Sequence, residues 1–423
     1  MSTAIVILIV LQWSICGLFL LYAAYYAIMA LFYFKKRKAR PEAARHHKFA
    51  VLIPARNEEA VVPNLVESLR KQRYPAELLD IIVIPNNCTD DTKGAAQRAG
   101  AAILEPAGPI RSKGEALSFA VDTLLKQGSY DAFCIFDADN LVHPDFFAEM
   151  NRELCAGARV VQGSRDSKNP YDTAVSSSYS IYYWMVNLFY NRPRNAVGLS
   201  AIISGSGFAF TSELIREWGG WHTVTLAEDI EFSLQCALRH EKIVCVPEAV
   251  VFDEQPLRFL DSMRQRSRWT SGLIHGLQAY GKALLGGVFC KRSALCLDML
   301  LFFAIQIMQL AFVLGYALAI VVNILIIISR GAFDLSYIAA TSLISFGSAY
   351  LAFALVAIMC VVIQKKDIRR SLGGIFFFPV FMMSYVPITI RCTFHQDTEW
   401  GIVRHIKSIT IDEIAGLAGR KHK

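Results

Sequence analysis

The chain has 423 residues, 54% hydrophobic and 19% charged, with 43 basic residues against 36 acidic ones and a formal charge of +7. That mixture is too apolar for a wholly water-soluble domain and too charged for a bundle wholly in lipid, so it calls for one part of each kind. No fixed-period repeat, collagen pattern or long polar low-complexity tract occurs, which excludes solenoid, fibrous and largely disordered architectures.

From Met1 to Phe34 no residue is charged, and such a run crosses about 30 Å of hydrocarbon with length to spare. It is too long for a signal-peptide core and lacks an A-x-A-like site before the basic cluster Lys35-Lys36-Arg37-Lys38. Residues 1–36 therefore read as a retained transmembrane helix with its N-terminus outside and the following domain in the cytoplasm.

Residues 37–257 have ordinary globular composition. A buried strand at 48–54 runs into a helix-like segment reaching Arg73, and a second strand at 80–85 ends in the polar turn Asn86-Asn87-Cys88-Thr89-Asp90-Asp91-Thr92. Another strand begins at Ala101, and one at 130–136 ends in Asp137-Ala138-Asp139-Asn140. Strand and helix in alternation predict an α/β domain with a mostly parallel sheet, whose ligands bind beyond the carboxyl ends of the strands.

Residues 258–292 read as interfacial helices and 293–364 as a transmembrane hairpin, its return leg ending in Lys365-Lys366 with Arg369-Arg370 close behind. Residues 365–392, with Pro379 and Pro387, read as an interfacial or re-entrant helix, a fourth span being the alternative. A cytoplasmic tail fills 393–423. The expected location is the cell membrane, multi-pass, with the catalytic domain cytoplasmic. Basic residues gathered beside apolar segments point to a bilayer and to no nucleic acid. The ten cysteines contain no CxxC pair and no zinc-like Cys/His spacing, so they read as small hydrophobes in a reducing compartment.

Chemistry should lie in the polar turns. Asp137 and Asp139 follow a buried strand on alternate residues, and two close carboxylates repel unless a divalent cation compensates them. Arg111-Ser112-Lys113-Gly114-Glu115 places a cation and a glycine at a helix amino terminus, a site suited to phosphate; a solvated basic turn is the plainer reading. Ser204-Gly205-Ser206-Gly207-Phe208 permits close backbone approach or is a tight turn. Glu228, Asp229 and Glu231 open a helical pattern, where acids cap the dipole or one serves as a general base. Gln265-Arg266-Ser267-Arg268-Trp269 offers guanidinium forks and an indole, or a basic face lying on lipid.

Taken in order, residues 54–57, 86–90, Lys113-Gly114, 137–139, Glu228-Asp229 and 265–269 resemble the membrane-integrated family-2 glycosyltransferases, the group of cellulose, chitin and hyaluronan synthases. The resemblance covers about 49–269 and implies a GT-A nucleotide-sugar-binding domain with transmembrane and interfacial helices. It implies Mg²⁺ or Mn²⁺ on Asp137 and Asp139. Pro54, Asn57, Glu58, Asn86, Asp90, Lys113, Asp137, Gln265 and Arg268 would contact the donor, and Trp269, Gly205 and Ser206 the acceptor. Asp229, with Glu228 beside it, would deprotonate the acceptor hydroxyl.

Two positions depart from the pattern. Asn86 stands where many relatives have Asp; its carbonyl still accepts from a uracil N–H, so a UDP-linked donor is expected. Ala227 replaces a Thr before the Glu-Asp pair. The tail segment 398–405 resembles the tryptophan-bearing loop of hyaluronan synthases, making Trp400 and His405 candidates to gate the donor, with an interfacial anchor as the alternative for Trp400.

The leading expectation is an inverting, metal-dependent hexosyltransferase that extends a β-linked polysaccharide and exports it. With about three crossings the channel would be narrow or need a second copy, so a homo-oligomer is a candidate partner. The alternative is single transfer to a membrane lipid. A non-catalytic nucleotide-sugar scaffold is the third reading, opposed by a retained general base for which a binding module has no use.

Overall fold

The structure, a computed structural model, describes residues 3–36, 40–225, 227–329, 335–395 and 409–414. Its centre is an eight-stranded sheet: β1 (Phe49–Ala55), β2 (Leu79–Pro85), β3 (Ala102–Ile103), β4 (Ala132–Ile135), β5 (Leu141–Val142), β6 (Val160–Ser167), β7 (Phe208–Thr211) and β8 (Ile243–Asp253), in the lateral order β3-β2-β1-β4-β7-β6-β8-β5. The β3, β2, β1 and β4 strands are parallel, as are β6 and β8, whereas β7 is antiparallel to both β4 and β6, and β5 to β8. The sheet is therefore mixed but mostly parallel, as predicted: six of its eight strands run one way, and β7 and β5 run the other. Strand-helix alternation governs only its first half; β7 enters from a long helical excursion in the opposite sense.

The helices are α1 (Thr3–Leu31), α2 (Val62–Arg70), α3 (Thr92–Ala99), α4 (Lys113–Gln127), α5 (Phe146–Cys155), α6 (Ala174–Met185), α7 (Arg192–Ala196), α8 (Ser212–Trp218), α9 (Glu228–Leu238), α10 (Phe259–Lys291), α11 (Ala294–Ser329), α12 (Leu335–Ile363), α13 (Ile368–Met383) and α14 (Tyr385–Phe394). Alternation along β1 sends Phe49, Val51 and Ile53 to a core with Phe136, Phe146 and Phe147, and Ala50 and Leu52 to an opposite core with Leu117, Phe208, Phe210 and Trp221. Both faces are covered, so the strands are apolar throughout. The predicted helix running straight on from β1 starts later, at Val62, because residues 56–61 form a turn with Asn57 at a φ of 60°.

Four described helices are long and apolar enough to cross a membrane: 3–34, 294–329, 342–363 and 368–394. The last differs from the first, with half of its most apolar window buried against 6% for the N-terminal helix. It is broken at Ser384, between α13 and α14, and α13 packs on α6 and α12 while α14 packs on α10 and α11. At the break the wholly buried Arg266 of α10 donates to the Phe381 carbonyl at 2.7 Å and to Ser384 Oγ at 2.8 Å. An arginine thus joins the Ser384 hydroxyl, which donates to the same carbonyl at 2.7 Å, in holding the interrupted helix end.

None of the ten cysteines is in a disulfide, and six of them (Cys134, Cys236, Cys245, Cys296, Cys360 and Cys392) are buried. The α1 and α11 helices are tied to the sheet domain by a buried ion pair: Arg194 Nε lies 2.9 Å from Asp298 Oδ2, and Tyr25 of α1 donates to the same carboxylate.

Candidate active site

The carboxyl ends of β1 and β2 build one corner by tying two turns together. Thr89 N donates to Asn57 Oδ1 at 2.7 Å, Glu58 N to Thr92 Oγ1 at 2.8 Å and Glu59 N to Asp90 Oδ2 at 3.1 Å. Asn57 and Asn87 both take left-handed backbone, at φ of 60° and 47°, which asparagine tolerates better than most residues. Asn57 and Asp90 are thereby spent on holding these turns, and neither lines the cavity beyond them. Asn86 is 2% exposed, and both its amide atoms are enclosed without a hydrogen-bond partner.

At the end of β4, Asp137 N donates to Asn140 Oδ1 and to Ser206 Oγ, each at 3.1 Å. The Asp139 carboxylate accepts from Asn140 Nδ2 at 3.2 Å and Glu254 N at 3.4 Å. Ser206, expected at the acceptor, is wholly buried, with its hydroxyl also donating to Asn140. It shapes the Asp137 turn instead. Its neighbour Gly205 has a φ of 84°, and a Cβ there would sit 3.5 Å from Arg165 Nη1, 3.5 Å from Asp229 Oδ2 and 3.7 Å from Asp137 Oδ2. The glycine leaves a small cradle among these three groups.

Lys113 opens α4 behind the Ser112 cap. Its ammonium is 2.5 Å from Asp137 Oδ1, 2.7 Å from the Gly205 carbonyl and 3.1 Å from Glu228 Oε1. Burial alone would lower its pKa, but the Asp137 and Glu228 carboxylates outweigh burial and raise it. Lys113 therefore bridges the two acidic motifs as a fixed cation. Gly114 permits this, since a Cβ there would lie 2.6 Å from Thr223 Oγ1 and 3.3 Å from Glu228 Cβ.

The three acids of α9 divide the work that the sequence left open. Glu231 accepts from Val224 N at 2.8 Å, Thr225 N at 2.6 Å and Tyr280 Oη at 2.6 Å, so it fixes the preceding loop. Glu228 pairs with Lys113. Asp229 faces the cavity, and burial, then Glu228, push its pKa up to about 7 against the opposing Lys113. A carboxylate poised there can take a proton at neutral pH. Ala227 packs where a Cβ on Gly272 of α10 would come within 2.5 Å of its own, so the small residue lets α9 and α10 meet closely.

These groups line one cavity of about 360 Å³. Of the residues expected at the site it gathers Pro54, Glu58, Lys113, Asp137, Asp139, Gly205, Glu228, Asp229, Gln265, Arg268 and Trp269. Trp400 and His405 lie outside the described residues. The cavity adds groups that sequence reasoning missed: Arg56, Arg165, Asp253, Glu254 and the aromatic pair Tyr182 and Tyr183. Arg165 binds Asp253 Oδ2 through Nε at 2.5 Å, donates to the Ser204 carbonyl, and lies 4.4 Å from the Tyr183 ring centre. Trp269 meets Tyr179 and Tyr183 edge-on, at 5.9 and 6.4 Å between ring centres. No local motif announces Arg165; a basic residue near the end of an apolar strand was the available signal.

Seven carboxylates line the cavity (Glu58, Asp137, Asp139, Glu228, Asp229, Asp253 and Glu254) against four cations (Arg56, Lys113, Arg165 and Arg268). Burial, with Asp139 and then Asp137 next in effect, pushes Glu58 up to about 9. This excess of negative charge suits a divalent cation, and oxygen donors are the ligands Mg²⁺ and Mn²⁺ prefer. Among the described residues no three or more His, Cys, Asp or Glu side chains are set to hold a metal by themselves. Asp137 and Asp139 would hold it only with oxygens from elsewhere, as Mg²⁺ shared with substrate phosphates is usually bound.

Residues 46–272 match the family model described as "Glycosyltransferase like family 2". A probable glycosyltransferase of Bacillus subtilis (strain 168), YdaM, is 29% identical over 272 residues, covering 60% of this chain and 61% of its own. A β-monoglucosyldiacylglycerol synthase of Nostoc sp. (strain PCC 7120) is 24% identical over 239 residues, covering 55% of this chain and 49% of its own. The chain thus spans about half to three-fifths of the length of these curated relatives. Among solved structures, the mannosyltransferase PcManGT of Pyrobaculum calidifontis, in complex with GDP-Man and Mn²⁺, superposes with a TM-score of 0.63 at 18% identity. That match covers 92% of this chain and 99% of the other, so sheet domain and helical part follow one shared fold.

Proposed function

The chain belongs to glycosyltransferase family 2 and has a GT-A fold, and on that premise we propose that it is an inverting, metal-dependent hexosyltransferase moving a sugar from a nucleotide sugar to a hydroxyl of a membrane lipid. The observation that carries this reading is the single cavity joining Asp229, Asp137 and Lys113 to an apolar end beside Phe302 of α11. At the polar end, Asp229 takes the proton of the acceptor hydroxyl as the oxygen attacks the anomeric carbon. One base and one in-line displacement invert that carbon.

The leaving diphosphate gathers charge on the opposite side. Asp137 and Asp139 would hold Mg²⁺ or Mn²⁺ there, which supplies charge neutralisation of the diphosphate when bound. Arg268 and Gln265, one turn apart on α10, point the same end of that helix at the cavity and stabilise the departing group. Lys113 holds Asp137 and Glu228 in register. A lipid hydroxyl is favoured over a phosphate acceptor because Asp229 and Glu228 would repel an anionic nucleophile, and a hydroxyl is what needs a base. Similarity to a β-monoglucosyldiacylglycerol synthase supports the same choice. A growing polysaccharide is the second reading, supported by the aromatic floor of Trp269 with Tyr182 and Tyr183, on which sugar faces stack. Both readings put the sheet domain on the cytoplasmic side of a cell membrane with the apolar helices in it.

The test offers radiolabelled UDP- and GDP-sugars to the full chain in lipid nanodiscs with Mn²⁺. Label in a single mobile glycolipid is expected. Immobile label at the origin would replace that reading with polymer synthesis, and no nucleotide release from any donor would overturn both.

A further inference from the structure

The chemistry above uses the polar end of the cavity and leaves the other end without a task. There, Val186, Tyr190, Ile202, Leu273 and Phe302 line the wall. Val186 and Tyr190 belong to a π-helical turn, Val186–Asn191, inserted between α6 and α7. Such wide turns are rare and concentrate at functional sites. This one is held from below: Tyr190 lies 3.5 Å from the Arg194 guanidinium carbon and 5.3 Å between ring centres from Phe302. Arg194 is fixed in turn by its ion pair to Asp298 of α11, which also accepts from Tyr25 of α1. The apolar end is therefore bolted to two helices long and apolar enough to span a membrane.

Resting on the lipid-acceptor reading of this site, we propose that the π-helical turn forms the subsite for the acceptor's apolar chain. It takes the first carbons of one alkyl or isoprenoid chain between Val186, Tyr190, Leu273 and Phe302, while Tyr183 and Trp269 face the hydroxyl-bearing head near Asp229. The chain leaves along α11, since Phe302 is one helical turn from Asp298 on that helix. A polysaccharide strand fits this end poorly, because its hydroxyls would be buried against Val186, Leu273 and Phe302, which offer no hydrogen-bonding atom. An alkyl chain asks for none.

The probe is a long-chain alcohol carrying a tail diazirine, photolysed with the full chain in phosphatidylcholine nanodiscs and mapped by mass spectrometry. Labelling is expected on the peptides holding 182–190 and Phe302. Soluble n-alkanols should compete, each added methylene by about fourfold, the factor set by apolar burial, until the pocket is full. Val186→Trp should make that series level off at shorter chains while nucleotide binding stays unchanged. Label spread over the outer faces of α1 and α11, or a series that Val186→Trp does not alter, overturns the subsite. Protection by a soluble β-glucan oligosaccharide instead of alkanols gives this end to a polymer and overturns it too. Competition as expected, with no lipid ever glycosylated, leaves an alkyl-chain site standing and removes the lipid-acceptor reading.

Discussion

The two ends of one cavity are built by opposite means. The polar end is made of turns at strand ends, where backbone amides and short side chains fix the acids: the Asp137 amide donates to Asn140 and Ser206, and the Asp139 carboxylate accepts from Asn140 and the Glu254 amide. The apolar end is made of elements meeting at distance, with the π-helical turn giving Val186 and Tyr190, and Ile202, Leu273 of α10 and Phe302 of α11 completing it. The first kind of site tolerates little change in residue type because each atom has a task. The second tolerates changes in type but not in volume or in the position of whole helices.

The sharpest break between the ends comes from Asp229→Asn. Transfer should fall by about 10²- to 10⁴-fold, the range for losing a general base, while nucleotide binding and alkyl labelling hold. In the unsubstituted enzyme the base works only when deprotonated, so kcat/KM should rise with pH through an apparent pKa near the raised value of about 7. That limb should vanish in the variant; its survival would place the base elsewhere. Next, Asp139→Ala should cost about 10- to 100-fold in Mn²⁺-dependent nucleotide affinity in a titration with and without metal, leaving the apolar end untouched. Unaltered metal dependence would put the cation on other ligands.

A change at the far side tests the bolted helices. Arg194→Met leaves Asp298 buried and unpaired and should lower unfolding stability by about 3–5 kcal/mol, read as a thermal shift. The double variant with Asp298→Asn should recover most of it, and no recovery would mean the pair is not what joins α11 to the sheet domain. The smallest effect is expected at Asn86. Its enclosed amide has no partner, so Asn86→Leu should stabilise the nucleotide-free protein by about 1–2 kcal/mol, the cost of an unmet buried polar group. If Asn86 reads the base, nucleotide affinity should fall at the same time; a loss in stability would show the amide to be satisfied.

What the sequence determined is the chemistry at strand ends. Apolar runs at β1, β2 and β4 closed by polar turns placed Asp137 and Asp139 beyond the carboxyl end of a sheet, because alternation and turn composition are local properties; Lys113 and Asp229 joined them through the resemblance of the ordered motifs. Three of the apolar helices were equally plain, since spanning length and lack of charge need no partner to be read, whereas 365–392, interrupted by two prolines, read as re-entrant with a span as the alternative.

Tertiary structure decided the rest. The opposite sense of β7 and the pairing of β6 with β8 depend on contacts far apart in the chain. The α6 helix gave no warning: Ser176, Ser177, Ser178 and Ser180 suggest a loop, yet all are buried, with Ser178 and Ser180 bonding back to the carbonyls of Ala174 and Ser176. Which of the acids at α9 caps a loop, which pairs with a lysine and which faces the cavity was set by burial and by what Lys113 and Tyr280 reach. Side-chain identity carries a charge into the neighbourhood; only packing decides the atom it meets and the solvent it loses, and with them its pKa and its task.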